Sequence, residues 1–191
     1  MKKPIVTVPH EVLRKMSVEV IFDKKIKDFV KDLRDSLWLQ DNPKGVGLSA
    51  PQLGKSWRIF ATMLPPGEDD APQKSDIRVF LNPSVLKRSS TLTLGDDPKD
   101  PILEGCLSIP GIYGPVPRPD QIEMEFDEVI DNELIHKVEA FDRFLARVIQ
   151  HEYDHIDGIL FTDYTLKYNL PLYEFRRKHM VEIDPAFAKA F

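Results

Sequence analysis

The feature that most constrains this chain is the run His151-Glu152-Tyr153-Asp154-His155. It sits at the end of a segment, Asp142 to Ile156, whose apolar residues follow a helical period, and Gly158 is well placed to stop it. At about 100° per residue, Phe141, Phe144, Leu145, Val148 and Ile149 fall within an arc of about 160° that also holds His151, His155 and Glu152. Arg143, Gln150, Asp154 and Asp157 fall on the other side. Two imidazoles four residues apart share one helical face, so both can reach one ion. A carboxylate aimed into a core is costly unless it is paired, neutralised or used. Satisfied core histidines with a snorkelling glutamate are the plain alternative. The inward phase of all three polar groups favours a metal site.

A catalytic metal site needs a third protein ligand and an open position. The chain has one cysteine, Cys106, in Glu104-Gly105-Cys106-Leu107-Ser108. A single cysteine also excludes an intramolecular disulfide framework. A lone cysteine is more often a small buried hydrophobe, but this one lies in a strand-like run (Cys106 to Ile109) whose neighbouring Gly105 permits close approach. Thiolate with two imidazoles suits Zn²⁺ or Fe²⁺ and disfavours Mg²⁺ or Ca²⁺. The third element is Gly45-Val46-Gly47-Leu48-Ser49-Ala50-Pro51-Gln52. It lacks the spacing of a phosphate-binding loop, but it offers exposed glycine backbone and the Gln52 amide, able to donate to an oxyanion.

The rest of the chain reads as short strands around two or three helices, hence α+β. Asp23 caps a helix with apolar positions Ile26, Phe29, Val30, Leu33 and Leu37, ending before Asn42-Pro43. Strands are expected at Trp57–Leu64, Val79–Leu81, Ser84–Lys87, Leu92–Leu94, Gln121–Val129 and Leu134–Ala140, the last two joined by an Asp131-Asn132 turn. Residues 65–76 read as an exposed acidic loop and 95–101 as a second polar loop. A final amphipathic segment, Leu166 to Met180, reads as a C-terminal helix. The 191 residues, without repeat or linker, are expected to form a single catalytic domain spanning 1–191. Hydrophobic residues at 42% and charged residues at 30% are a globular balance, and a net charge of −5 argues against a DNA binder. No apolar run approaches the roughly 20 residues of a membrane span, and the first nine residues lack the pattern of a signal peptide, so a cytoplasmic location is expected.

The three motifs Gly45–Gln52, Glu104–Ser108 and Gln150–His155, in that order, resemble the signature of the peptide deformylase family, and Pro9-His10-Glu11-Val12-Leu13-Arg14-Lys15 resembles its opening segment. The resemblance covers about residues 4–165. It implies antiparallel β-sheets surrounding a central H-E-x-x-H helix, and removal of the formyl group from formylmethionine on nascent peptides, with release of formate. It further implies one divalent ion on Cys106, His151 and His155, usually Fe²⁺ in the family, with Zn²⁺, Ni²⁺ and Co²⁺ also accepted by such ligands. Glu152 takes the general acid/base role, while Gln52 and the Leu107 N–H stabilise the oxyanion. The backbone of Gly47 and Gly105 lines the peptide groove, and Phe144 and Val148 wall the methionine pocket. Ser49 stands where alanine is more usual, and Tyr113 where some members carry an arginine. The competing reading is an H-E-x-x-H metallopeptidase, which would need a further ligand from His179, Glu174 or Glu182. The Arg176-Arg177-Lys178-His179 cluster reads as a solvated helix end, with transient ribosome contact as its other reading.

Overall fold

The computed structural model describes residues 2–191 except 42, 66–69, 98 and 132. Those gaps take in the Asn42 helix stop, the centre of the acidic loop, part of the second polar loop and one half of the 131–132 turn. The first helix, α1 (Lys24–Trp38), starts where Asp23 accepts from the Ile26 N–H at 2.9 Å, and buries the five apolar positions expected of it.

Two short strands, β1 (Gly47–Ser49) and β2 (Ile59–Met63), are followed by the long β3 (Ile77–Arg88). The two separate strands expected at 79–81 and 84–87 are one, interrupted by a register shift between Leu81 and Ser84. Asn82 (φ 48°) and Pro83, which has no N–H for the ladder, account for that bulge. β4 (Leu92–Thr93) and β7 (Arg118–Pro119) form a small two-stranded ribbon. Between them lie β5 (Leu103–Cys106) and β6 (Ile109–Pro115). The strand expected from Cys106 to Ile109 is instead the turn joining these two, because the register slips after Gly105 and the chain must reverse. β8 (Gln121–Ile130) and β9 (Glu133–Asp142) pair over their whole length around a tight turn in which Asp131 is left-handed (φ 51°).

Helix α2 (Arg143–Ile156) follows directly, and Gly158 comes after it in the left-handed conformation. It packs Ala146, Ile149 and Ile156 with Phe60, Phe80, Phe126 and Phe141 on the five-stranded sheet, of order β1-β2-β3-β8-β9. Helix α1 packs with β1, β2 and β3 in a second cluster that includes Leu48, Ile59, Val79 and Leu81.

The expected helix from Leu166 to Met180 is a correction. Helix α3 (Phe161–Tyr168) begins earlier and stops at left-handed Asn169 (φ 50°). The chain then forms a hairpin, β10 (Leu172–Arg176) and β11 (His179–Ile183), turned by Arg177 and Lys178 at positive φ. Pro171 cannot continue the helix, and the free edge of β6 takes up the segment after it: Tyr173 pairs with Tyr113 and Glu174 with Ile112, completing a four-stranded sheet of order β11-β10-β6-β5. The basic cluster is therefore a hairpin turn and not a helix end. No helix among the described residues is long and apolar enough to cross a membrane.

Candidate metal centre and cleft

Helix α2 runs between the two larger sheets and turns its polar stripe toward β5. The donor atoms of Cys106, His151 and His155 lie within 4.8 Å of one another. Cys106 Sγ is 3.1 Å from His155 Nε2, 3.4 Å from the Ser108 N–H and 3.5 Å from Gln52 Nε2. Burial would raise the Cys106 thiol, but the adjoining His155 and His151 bring it well below the ordinary thiol range. A buried thiolate with two imidazoles around a common point is the donor set of a soft or borderline divalent ion.

The two histidines are held differently. His151 Nδ1 lies 3.0 Å from Glu104 Oε2. Burial alone would push the Glu104 carboxyl up, yet Arg118, helped by His151, holds it well below the usual carboxylate range. An ionised carboxylate only accepts, so His151 Nδ1 carries the proton and Nε2 is left for an ion. Glu104 also accepts from Arg118 Nε and Nη2, both at 2.8 Å, and from Arg147 Nη1 at 2.9 Å. Arg118 reaches Asp154 at 2.6 Å, and Tyr164 donates to the same carboxylate at 3.2 Å. His155 Nδ1, by contrast, is buried with no hydrogen-bond partner among the described residues.

Glu152 stands beside the ligands and is 3% exposed. Burial drives its carboxyl up to about 7, against the opposing pull of His151 and His155. Its Oε2 has no hydrogen-bond partner among the described residues. The Glu152 side chain lies against Gly47, where a Cβ would come within 2.3 Å of Oε1 and 2.8 Å of Cγ and Cδ, so glycine is the residue that fits at that point of β1. Gln52 is 1% exposed. Its Oε1 is fixed by the Ser49 N–H at 2.8 Å and the Ser49 hydroxyl at 3.0 Å, which leaves the Nε2 donor pointing at the thiolate. The serine that replaces the more usual alanine thus adds a second anchor for Gln52.

Gly47, Gln52, Gly105, Cys106, Leu107, Phe144, Val148, His151 and Glu152 all line one cleft of about 460 Å³, with His155 behind the thiolate. The ten residues that the family resemblance implies for the site therefore come to one place, whereas Glu174, His179 and Glu182 do not line the cleft. Within the pocket wall Val148 is buried, while Phe144 is 45% exposed and stands at the rim. Tyr113 faces Gly105 across the β5–β6 pair, its ring so close that a Cβ at Gly105 would meet Cε1 at 2.5 Å.

Three assignments differ from the helical-phase reading, one of them Asp157, which is half-buried and paired with Arg58 at 2.8 Å. Gln150 is buried and Asp154 half-buried, because the chain around Pro119 and Arg118 covers what would otherwise be the solvated side. The residues that sequence reasoning missed are Arg118, Arg147 and the role of Glu104. Arg147 carried a signal: it precedes His151 by four residues and so shares its face.

A helix bearing His-Glu-x-x-His, completed by a cysteine from a neighbouring strand and opening on a cleft, defines a metal-dependent hydrolase. A family model described as polypeptide deformylase matches residues 2–169. The chain is 40% identical over 158 residues to peptide deformylase 1 of Clostridium perfringens, covering 82% of this chain and 92% of that relative. It is 37% identical over 178 residues to peptide deformylase 1 of Bacillus subtilis, covering 87% and 91%. The crystal structure of peptide deformylase from Thermus thermophilus matches with a TM-score of 0.69 at 35% identity over 86% of each chain. The chain belongs to the polypeptide deformylase family, metal-dependent enzymes that remove the N-terminal formyl group from new polypeptides.

Proposed function

We propose that this chain deformylates N-formylmethionyl nascent peptides in the cytoplasm as one catalytic unit, with transient access to chains emerging from the ribosome. The observation that carries the assignment of roles is the convergence of Cys106, His151 and His155 within 4.8 Å, beside a buried Glu152 whose Oε2 has no hydrogen-bond partner among the described residues. We assign Fe²⁺ as the native ion, with Zn²⁺, Ni²⁺ or Co²⁺ as replacements on the same thiolate and imidazoles. A divalent ion held there would lower the pKa of a water toward neutrality and polarise a carbonyl.

The chain's own groups do the remainder. Glu152, with a carboxyl at about 7, is matched to taking a proton from water near neutral pH and passing it to the leaving amine. Gln52 Nε2 and the Leu107 N–H donate to the formyl oxygen as negative charge develops on it. The backbone of Gly47 and Gly105 holds the peptide extended. Val148 forms the buried side of the methionine pocket and Phe144 its rim.

Metal analysis of protein purified without air, combined with formate release from formyl-Met-Ala, tests this reading. Formyl-Ala-Ala should react about 10–200-fold more slowly in kcat/KM, because the pocket loses its apolar contact. Acetyl-Met-Ala should react hardly at all, since the extra methyl must sit beside the ion. Cleavage of unblocked peptides at an internal bond, at a comparable rate, would replace this reading with the metallopeptidase.

A further inference from the structure

Gln52 and Leu107 are contributed by different sheets. Gln52 lies in the 3-10 turn Pro51–Leu53 after β1, at one edge of the five-stranded sheet, and Leu107 in the β5–β6 turn of the four-stranded sheet. No strand ladder sets the distance between them. The N-terminal segment crosses this junction. Residues 3–7 have no regular secondary structure. Ile5 and Thr7 line the cleft, whereas Val6 and Val8 turn away and pack on the cluster that contains Leu13, Cys106 and Ile109. The Val6 N–H donates to the Gln52 carbonyl at 2.8 Å, and the Val8 N–H donates to the Ser108 carbonyl at 3.0 Å. Upstream, the Lys3 N–H donates to Ser36 Oγ at 2.9 Å and anchors the segment on α1.

We propose that residues 5–8 are a positioning strap: Val6 and Val8 tie the Gln52 turn to the Leu107–Ser108 turn and so hold the two oxyanion donors at their working separation. The proposal rests on the deformylase reading of the site given above. A transition state is sensitive to such spacing, since a misplacement of about 1 Å costs on the order of 100-fold and loss of one oxyanion donor about 10²–10³-fold. The ground-state substrate makes weaker use of these donors, so the strap acts on kcat and leaves KM nearly unchanged.

The test is a double-mutant cycle between Val6→Pro, which removes the donating N–H without touching a cleft-lining side chain, and Gln52→Ala. Val6→Pro should lower kcat for formyl-Met-Ala about tenfold or more with KM within about twofold. In the Gln52→Ala background the same substitution should cost less than about twofold, because both act through one group. Amide hydrogen exchange should rise at residues 49–54 and 106–109 and not in α2. Val6→Ala, which keeps the N–H but loosens the packing, carries the same cycle at smaller amplitude if the proline variant does not fold. Equal fold-losses in both backgrounds, a change in KM alone, or unaltered exchange at both turns would overturn the strap. A parent enzyme that releases no formate would instead fail the functional reading, and the exchange pattern would then decide the strap by itself.

Discussion

Two clusters of arginine and carboxylate in this molecule are built from the same chemistry for different ends. In the first, Glu104 on β5 is gripped by Arg118 on β7 and Arg147 on α2, with exposures of 6%, 3% and 4% for the three side chains. In the second, Arg78 on β3 bridges Glu128 on β8 and Glu139 on β9, and lies 5.4–5.7 Å from the ring centroids of Phe80, Phe126 and Phe141. Arg78 is 28% exposed and Glu139 38%. The second cluster caps an aromatic core where the sheet meets water, so of its three ions only Glu128, at 7%, is buried. Full burial of the first is expensive, since taking charges out of water costs several kcal/mol per ion and well-packed apolar residues often do as well. What separates the two is the ring at the end of the first: Glu104 orients His151. The comparison teaches that buried charge is placed here according to what it aims, not according to how much it stabilises.

The largest effects should come from removing what the first cluster serves. Cys106→Ala, His151→Ala and His155→Ala should each abolish stoichiometric metal binding, measured by elemental analysis of anaerobically purified protein. A Cys106→Ala protein that holds one tight ion and turns over normally would break the link between β5 and the ion. Next comes Glu152→Gln, which should keep its metal and lose about 10²–10⁴-fold in formate release. Glu152 lies one residue beyond a ligand, so equal loss of metal and activity would recast it as a ligand.

The same contrast explains what sequence alone made legible. Helices α1 and α2 and the metal-facing stripe followed from period, because their apolar residues recur every three or four positions over 14 or 15 residues. The site residues followed from three motifs, since ligand chemistry is carried by residue type. The charge partners did not. Arg118 and Arg147 are remote from Glu104 in sequence by 14 and 43 positions, and only the pairing of β5 with β6 and the packing of α2 bring them together. The β10–β11 hairpin was illegible for a related reason. Leu166, Leu170 and Tyr173 keep a helical spacing, but Phe175 falls about 180° from Leu166 and Pro171 interrupts the run, and only the open edge of β6 decides which strand the segment joins.

Glu104→Gln sharpens the comparison from inside the first cluster. It leaves Arg118 and Arg147 buried with less than their share of negative charge, and removes the ionised acceptor that fixes the His151 tautomer. Stability should fall by about 3–5 kcal/mol, the usual cost of breaking a buried pair from one side. Metal affinity should fall about 10–100-fold, the usual cost of losing a ligand's supporting partner. Urea melts and competition with a chelator measure the two effects separately. A protein that loses stability but binds metal as tightly as the parent would reduce Glu104 to a structural role and erase the distinction between the clusters.

The smallest effect, and the sharpest control, belongs to Glu128→Gln in the second cluster. Glu128 is buried at 7% side-chain exposure but faces a partly solvated Arg78, so the loss should be about 1–2 kcal/mol, with metal content and kcat unchanged. Its sign with pH is fixed. Burial pushes the Glu128 carboxyl up, but Arg78 and Lys137 more than offset this and lower it from 4.5. A carboxyl lowered on folding contributes stability that is fully present above about pH 4.5, where it is ionised in both states, and loses it as pH falls through the folded value. The gap between parent and Glu128→Gln should therefore be constant from pH 7 down to about 5 and close as the solution is made more acid. Urea unfolding across that range reads the gap directly. A gap that widens in acid would mean that Glu128 is protonated in the folded protein, and that the second cluster, like the first, holds its charges at a cost.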